Sequence, residues 1–169
     1  SRCGRWIVSG ARDATAVLWS CGRRGVHAPG PPTAPHPAHV LRGHSAPLLC
    51  VAISSVLRIA ASGARDGTAA LYTLRDGRTL RVIAEPAGKE VDQVMLAETG
   101  YVVIAAAAGS ALHLFTLNGL RVWSASLHAG ASALCLSPCH TALLCGFDDG
   151  ALSAWSLHDR ELLAEYEPC

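Results

Sequence analysis

The chain has 169 residues, a net charge of +1 and only 16% charged residues. So small a net charge gives no electrostatic reason to expect binding to nucleic acid or to an anionic membrane surface. The charged fraction lies below the roughly 25% of an ordinary globular domain, which indicates a chain that buries much of itself or belongs to something larger.

The first predicted element is a β-hairpin with strands at residues 6–10 and 15–19. The segment Gly10-Ala-Arg-Asp13 supplies its turn, because Gly and Asp tolerate turn backbone angles that β-branched residues do not. Residues 21–38 differ, since they hold five prolines and three glycines and show no periodicity. Proline offers no N–H to a β-ladder, so we predict that 21–38 is a loop insertion.

The same hairpin recurs three more times along the chain. Its strands are predicted at 57–63 and 68–73, at 100–106 and 111–116, and at 141–146 and 151–156. An apolar strand precedes each of these hairpins, at 48–54, 91–97 and 132–137, and a further strand follows each, at 78–83, 120–125 and 161–166. Four short strands in a period of about 40 residues are typical of propeller blades.

We therefore predict an all-β fold, a partial β-propeller of about 3.5–4 four-stranded blades. The repeats run at approximately 4–20, 39–83, 91–125 and 131–166 within a single segment, 1–169. Two runs without charged residues, 99–120 and 122–147, could be misread as a membrane-spanning hairpin. Both carry Gly, Ser and His at short intervals and align with the repeats, so we predict strands and no membrane span.

The segments Leu41-Arg-Gly-His44 and Ser62-Gly-Ala-Arg-Asp66-Gly, followed by Leu71-Tyr72, resemble the Gly-His…Trp-Asp pattern of WD repeats. The resemblance implies a seven-bladed ring of which this chain is a fragment. It also implies a buried network that links a corner His, a Ser or Thr, a turn Asp and an aromatic residue. The residues that match this structural network are His44, Ser62, Asp66, Tyr72, Ser9, Asp13, Trp19, Asp149 and Trp155.

The third repeat has no turn Asp, and Cys145 stands in the fourth repeat where the family has Ser. In a catalytic interpretation, Ser62, His44 and Asp66 would form a Ser-His-Asp triad instead. No nucleophile elbow or oxyanion-hole motif accompanies them, and the same residue types recur as a repeat feature. We therefore predict that the chain is not an enzyme and has no catalytic residues.

Metal and cofactor sites are not predicted either. Cys135, Cys139 and His140 stand close in sequence, but no second ligand pair follows them. His27, His36 and His39 lie in or beside the Pro-rich loop without thiols or carboxylates to complete a site. Arg12 and Arg65 sit at the hairpin turns and are the candidate partner-binding residues, since Arg is favoured at interface hot spots.

A narrower resemblance is to the C-terminal propeller of neurobeachin-like BEACH-domain proteins. It rests on the repeat from Leu41 to Ser54, on Phe115-Thr-Leu-Asn-Gly-Leu in the degenerate third repeat, and on the ending Leu162-Leu-Ala-Glu-Tyr-Glu-Pro-Cys169. The resemblance implies a protein-interaction scaffold in vesicle trafficking or granule biogenesis. It implies a cytoplasmic location, peripheral on endomembranes through the parent protein, with the remaining blades and the BEACH domain as further partners.

A different function remains open at this point. A WD-repeat propeller can also recruit substrates as an adaptor in a ubiquitin-ligase or signalling complex. The two readings share the expectation that partners are proteins bound through the loop faces of the propeller.

Overall fold

The computed structural model describes residues 1, 4–22, 34–106, 110–127 and 130–167. Over these ranges the chain forms fifteen β-strands in four antiparallel sheets and no helix. Each strand pairs with its neighbours in sequence, which is the up-and-down order of a propeller blade. The sheets are numbered as blades 1 to 4 in chain order. The prediction of an all-β partial propeller is confirmed.

Blade 1 has three described strands, β1 (Trp6–Gly10), β2 (Ala16–Ser20) and β3 (His36–Leu41). The predicted loop insertion, 21–38, lies mostly outside the described residues, which resume at residue 34. Its last three residues belong to β3, so the strand starts earlier than the loop prediction allowed. Pro37 is tolerated there because β3 is an edge strand of the described sheet, where a missing N–H breaks no second ladder.

Blades 2 to 4 each have four strands, and their bounds lie within two residues of the predicted ones. Blade 2 comprises β4 (Leu48–Ser54), β5 (Ile59–Ala64), β6 (Thr68–Thr73) and β7 (Thr79–Ala84). Blade 3 comprises β8 (Val91–Ala97), β9 (Tyr101–Ala106), β10 (Ala111–Thr116) and β11 (Arg121–Ser126). Blade 4 comprises β12 (Ala131–Leu136), β13 (Ala142–Phe147), β14 (Leu152–Ser156) and β15 (Leu162–Tyr166).

The charge-free runs 99–120 and 122–147 contain strands of blades 3 and 4 wherever the structure describes them. No helix in the described part of the chain is long and apolar enough to cross a membrane. The apolar character of these runs follows instead from the packing of the blades.

The core consists of three apolar clusters, each lying between two neighbouring blades. Successive residues of one strand enter different clusters, because their side chains point to opposite faces of the sheet. In β6, Leu71 packs towards blade 3 while Tyr72 packs towards blade 1. All six residues of β5 are buried. A strand covered on both faces needs apolar or small residues at every position, which explains the low charged fraction of the chain.

Close contact between the blades depends on small residues in the second strand of a blade. A Cβ added at Gly63 of β5 would lie 2.5 Å from Val91 Cγ1 and 2.6 Å from Cys50 Sγ. The corresponding Gly146 of β13 has only ordinary contacts, with Leu152 Cδ2 at 3.6 Å as the nearest atom. Gly63 faces a neighbouring blade, whereas no described blade covers the face of blade 4 on which Gly146 lies.

That outer face of blade 4 is apolar and open. Leu144 pairs across the sheet with Cys135 and Ala154, and Leu152 pairs with Tyr166. Cross-strand partners share a face. Leu144 is 48% exposed and Leu152 is 53% exposed. The far face of blade 1 is open as well, with Ile7 46% exposed. Each end of the described strip of blades therefore presents the kind of surface that blades elsewhere in this chain bury against each other.

We expect Gly63→Ala to destabilise the fold by about 1–3 kcal/mol, because the new methyl group requires blades 2 and 3 to shift. Gly146→Ala is the matched control, since it makes the same change at the equivalent strand position without a close neighbour. Urea unfolding followed by fluorescence measures both. Equal stabilities of the two variants would contradict the packing argument.

The open faces predict that the 169-residue chain self-associates through blade 4. Leu144→Lys and Leu152→Lys each place a charge on the open face, and we expect either to shift the protein towards monomer. Leu80→Lys is the control, since Leu80 is 53% exposed but lies on the outer strand of blade 2. Size-exclusion chromatography with light scattering measures the mass. A wild-type chain that stays monomeric over a wide concentration range would refute the prediction.

Candidate functional site

The turn between β5 and β6 is organised by the carboxylate of Asp66. Its oxygens accept hydrogen bonds from the backbone N–H of Thr68 (3.0 Å), the hydroxyl of Thr68 (2.6 Å) and the backbone N–H of Ser45 (2.8 Å). Gly67 follows with φ +75°, a conformation that favours glycine. The carboxylate thus holds its own turn and the corner that leads into blade 2.

His44 extends this arrangement into the interior of blade 2. Its Nδ1 lies 3.1 Å from Asp66 Oδ2, and its Nε2 lies 2.7 Å from the hydroxyl oxygen of Ser62. That hydroxyl oxygen is 3.2 Å from the phenol oxygen of Tyr72. The side chain of His44 and the residues Ser62 and Tyr72 are each only 1% exposed. The structure therefore brings together the four residues assigned to the network of the second repeat.

Burial by itself would raise the pKa of Asp66, but the hydrogen bonds from Thr68 and Ser45 and the nearby His44 outweigh it. The pKa of this carboxyl group is held below its usual value, so Asp66 is ionised at neutral pH. Burial raises the pKa of Tyr72, which keeps the phenol neutral and able to hydrogen-bond with Ser62. Both directions match a buried structural network in which each polar group has a partner.

The order Asp66–His44–Ser62 has the hydrogen-bond connectivity of a catalytic triad, but its surroundings do not suit catalysis. A nucleophile must reach a substrate carbon, whereas Ser62 is 1% exposed and its hydroxyl lies against Tyr72. Two pockets lie beside the turns at the two ends of β5, and Ser62 lines neither of them. The arrangement fastens the turn to the blade, and the geometry offers no route for acyl transfer.

The networks of the first and last repeats are partial. In blade 1, Trp19 Nε1 donates to the hydroxyl of Ser9 at 2.9 Å, while Asp13 accepts from the backbone and hydroxyl of Thr15. Asp13 is exposed, and the hydrogen bonds from Thr15 lower its pKa. In blade 4, the indole of Trp155 donates to Ser153 (2.9 Å).

The remaining residue of the predicted network behaves similarly. Asp149 accepts a hydrogen bond from the backbone N–H of Ala151 at 2.9 Å, so it closes its own turn as Asp66 does. The ring of Trp155 packs against Trp123 of blade 3, with centroids 5.2 Å apart. The aromatic residue of the last repeat therefore contributes to contact between blades as well as to its own sheet.

A second structural carboxylate, which is buried and which the sequence reasoning missed, serves blade 3. Glu85 Oε1 lies 3.2 Å from His113 Nε2, and Glu85 Oε2 accepts from the backbone N–H groups of Ala87 (2.8 Å) and Lys89 (2.6 Å). Burial would raise the pKa of Glu85, but the N–H donors and His113 lower it overall. The pair ties the corner between blades 2 and 3 to β10, in the repeat that has no turn Asp.

The two candidate contact arginines lie on one face of the molecule. Arg12 and Arg65 line a pocket of about 250 Å³ together with Pro47, Leu48 and Leu49. Arg65 Nε is 3.4 Å from Glu90 Oε2, with both side chains at least half exposed. No carboxylate among the described residues pairs with Arg12. The surface formed by these turns is called the Asp66 face, and the surface at the opposite ends of the strands is called the Arg58 face.

The described cysteines are unpaired thiols of two kinds. Burial raises the pKa of Cys50 to about 12, so it behaves as a small apolar side chain. Cys139 is exposed, and hydrogen bonds with Ser137 and Thr141 lower its pKa to about 7. The described part of the chain contains no group of three or more His, Cys, Asp or Glu residues that could hold a metal ion.

Comparison with known proteins identifies the family. The family model described as neurobeachin beta propeller domain matches residues 32–169. The chain belongs to the neurobeachin β-propeller family. The match includes blades 2, 3 and 4, and with them the Asp66 network and the Glu85–His113 pair. The recognition made from the repeat motifs is confirmed.

Two curated relatives are BEACH proteins. The chain is 29% identical over 172 residues to BEACH domain-containing protein B of Arabidopsis thaliana, an alignment covering 95% of this chain and 7% of that protein. It is 27% identical over 90 residues to BEACH domain-containing protein lvsD of Dictyostelium discoideum, covering 53% of this chain and 3% of that protein. The chain thus spans less than a tenth of the length of these relatives.

A solved structure supports the fold. The computationally designed Ika8 protein matches with a TM-score of 0.75 at 24% sequence identity, covering 96% of this chain and 46% of that one. At this level of identity the likeness concerns the fold alone. It shows that the four blades stack here as they do in part of a larger solved protein.

We expect Asp66→Asn to destabilise the fold by about 1–3 kcal/mol at pH 7, because the donors around Asp66 lose their charged acceptor. The folded pKa of Asp66 is below its ordinary 3.8, so the folded state binds fewer protons than the unfolded chain near that pH. The contribution of Asp66 is complete above that value and disappears as pH falls through the folded pKa.

The difference in stability between wild type and Asp66→Asn should therefore shrink on going from pH 7 to about pH 3. Urea unfolding at several pH values measures it. Asp148→Asn serves as the control, since Asp148 is an exposed carboxylate in the corresponding turn of blade 4. A difference independent of pH would contradict the assigned role of the carboxylate.

Proposed function

We propose that the chain is a non-catalytic protein-interaction module that binds its partner on the Asp66 face. The observation that carries the proposal is the pocket formed by Arg12, Arg65, Pro47, Leu48 and Leu49. Arginine is enriched at interface hot spots, where a few desolvated residues dominate the affinity, and the apolar floor supplies surface that a partner can cover. Leu49 is 40% exposed on this floor.

The two arginines are not equivalent in this proposal. Arg65 already has a carboxylate neighbour in Glu90 at 3.4 Å, and an exposed pair of this kind contributes little to stability. Arg12 has no carboxylate partner among the described residues. A protein segment with one acidic and one apolar side chain would satisfy Arg12 and cover Leu49. Arg12 is therefore the contact that distinguishes one partner from another, and Arg65 supplies a second, partly satisfied charge.

The wider role proposed for the parent protein is that of a scaffold in vesicle trafficking or granule biogenesis at cytosolic membrane surfaces. Membership of the neurobeachin β-propeller family supports it, as do relatives named as BEACH proteins. The rigid packing of the blades also supports it, because a scaffold needs loop surfaces that keep their shape when a partner binds. The remaining blades and a BEACH domain of the parent chain are further proposed partners.

The face assignment predicts that Arg12→Glu reduces partner capture by the complete propeller by about tenfold or more, with a smaller loss for Arg65→Glu. Quantitative mass spectrometry of proteins captured from a vesicle-rich extract measures this. Arg81→Glu is the control, because Arg81 is an exposed arginine on the outer strand β7. If capture is unchanged by Arg12→Glu, or falls equally with Arg81→Glu, the Asp66 face is not the binding surface.

The non-catalytic part of the proposal has its own test. Ser62→Ala removes the only hydroxyl that a triad reading would use as nucleophile. We expect the variant to capture the same proteins as wild type once its folding is verified by circular dichroism. Loss of function in a normally folded Ser62→Ala protein would favour the catalytic alternative instead.

A further inference from the structure

A second pocket lies on the Arg58 face, away from the proposed protein-binding surface. It has a volume of about 620 Å³ and spans blades 1 and 2. Arg5 precedes β1, Arg58 lies in the turn between β4 and β5, and Arg75 lies in the turn between β6 and β7. Three segments that are far apart in sequence therefore place three arginines around one concave surface.

No carboxylate in the described part of the chain neutralises these arginines. None of the three forms an ion pair with a described residue, and the lining contains no Asp or Glu. Asp76 is next to Arg75 in sequence, but its carboxylate lies 3.4 Å from Arg78 Nε. On the Asp66 face, by contrast, Arg65 is paired with Glu90. The pocket on the Arg58 face thus concentrates positive charge in a chain whose net charge is only +1.

The turn that carries Arg58 is fixed in position. Arg58 has φ +56°, and its carbonyl oxygen accepts a hydrogen bond from the backbone N–H of Leu74 at 2.9 Å. That bond joins two of the turns that line the pocket. Ser54 Oγ accepts from the N–H of Leu57 at 3.2 Å and closes the same turn. The backbone around the pocket is therefore arranged before any ligand binds, which lowers the entropy cost of binding.

The lining indicates the chemical class of the ligand. Guanidinium groups present forked donors that fit phosphate and carboxylate oxygens. A phosphomonoester carries about −1.5 to −2 charges at pH 7, so two phosphate groups on one small ligand balance the charge of three arginines. A ligand with two carboxylates would carry too little negative charge to do so. The volume is that of a small-molecule site. Trp6 and the 63%-exposed Val56 add an apolar wall against which the ring of a headgroup can pack.

We propose that this pocket binds a phosphorylated small headgroup, of the inositol phosphate type, through Arg5, Arg58 and Arg75. The headgroup is either a free metabolite or the exposed part of a lipid. The pocket is separate from the Asp66 face, so the proposal does not depend on the protein-binding function. In the lipid case the Arg58 face turns towards the membrane, leaving the Asp66 face directed away from it.

The test is isothermal titration of the 169-residue chain with inositol trisphosphate. Arg5→Gln, Arg75→Gln and Arg58→Asn should each weaken binding by about tenfold, and binding should fall steeply with added salt. Asn is chosen at position 58 because it tolerates the left-handed backbone there. Arg121→Gln is the matched control, since Arg121 is exposed on β11 and does not line the pocket. It should bind as wild type does.

Flotation with phosphatidylcholine vesicles, with and without phosphatidylinositol bisphosphate, decides the source of the headgroup. Vesicle binding that depends on the three arginines assigns the lipid, and titration without vesicle binding assigns the free metabolite. Thermal unfolding checks that the variants are folded, and Arg58→Lys, which keeps the charge, should retain part of the affinity. The proposal is overturned if inositol trisphosphate does not bind, if Arg121→Gln weakens binding equally, or if a hexaglutamate peptide binds as tightly.

Discussion

The structure depends on burial of both faces of its inner blades. The middle strands of blades 2 and 3, which are β5, β6, β9 and β10, send alternate side chains into two different clusters, and none of their residues is exposed. Close stacking then requires small residues where blades meet, as at Gly63, whose missing side chain leaves room for Val91 and Cys50. The low charge of the chain, the tight blade contacts and the apolar outer faces of blades 1 and 4 all follow from this one constraint.

Apolar packing holds the blades together, whereas polar side chains fix the connections between them. Two different sets of polar residues do this. Around blade 2, Asp66, His44 and Ser62 join the turn, the corner and the second strand. Around blade 3, where no turn Asp exists, Glu85 binds the corner backbone and reaches His113 on the third strand. In both cases a carboxylate, partly buried for Asp66 and buried for Glu85, accepts backbone N–H groups and contacts an imidazole. Blades 2 and 3 therefore use the same kind of carboxylate–imidazole contact, but residues at different positions of the repeat supply it.

The two ends of the strands consequently have different chemistry. The Asp66 face is built from turns held by carboxylates, and its arginines flank an apolar floor. The Arg58 face is built from the other set of turns, and its three arginines have no described carboxylate partner. A rigid stack of blades keeps the two surfaces apart, because each is made of turns at one end of the same strands. The proposed protein-binding surface and the proposed anion-binding pocket therefore share no residues and do not compete.

The sequence by itself determined the strands and the repeat, because apolar alternation and turn residues are local properties that recur at a fixed period. The family followed from the resemblance of its motifs to WD repeats. The same resemblance implied that His44, Ser62, Asp66 and Tyr72 form one network. The Glu85–His113 pair joins the corner between blades 2 and 3 to a strand 28 positions later and carries no motif, so only the tertiary structure brought it together. The same holds for the meeting of Arg5, Arg58 and Arg75 and for the pairing of Arg65 with Glu90. Such contacts are set by how sheets twist and pack, and that is a property of the tertiary structure alone.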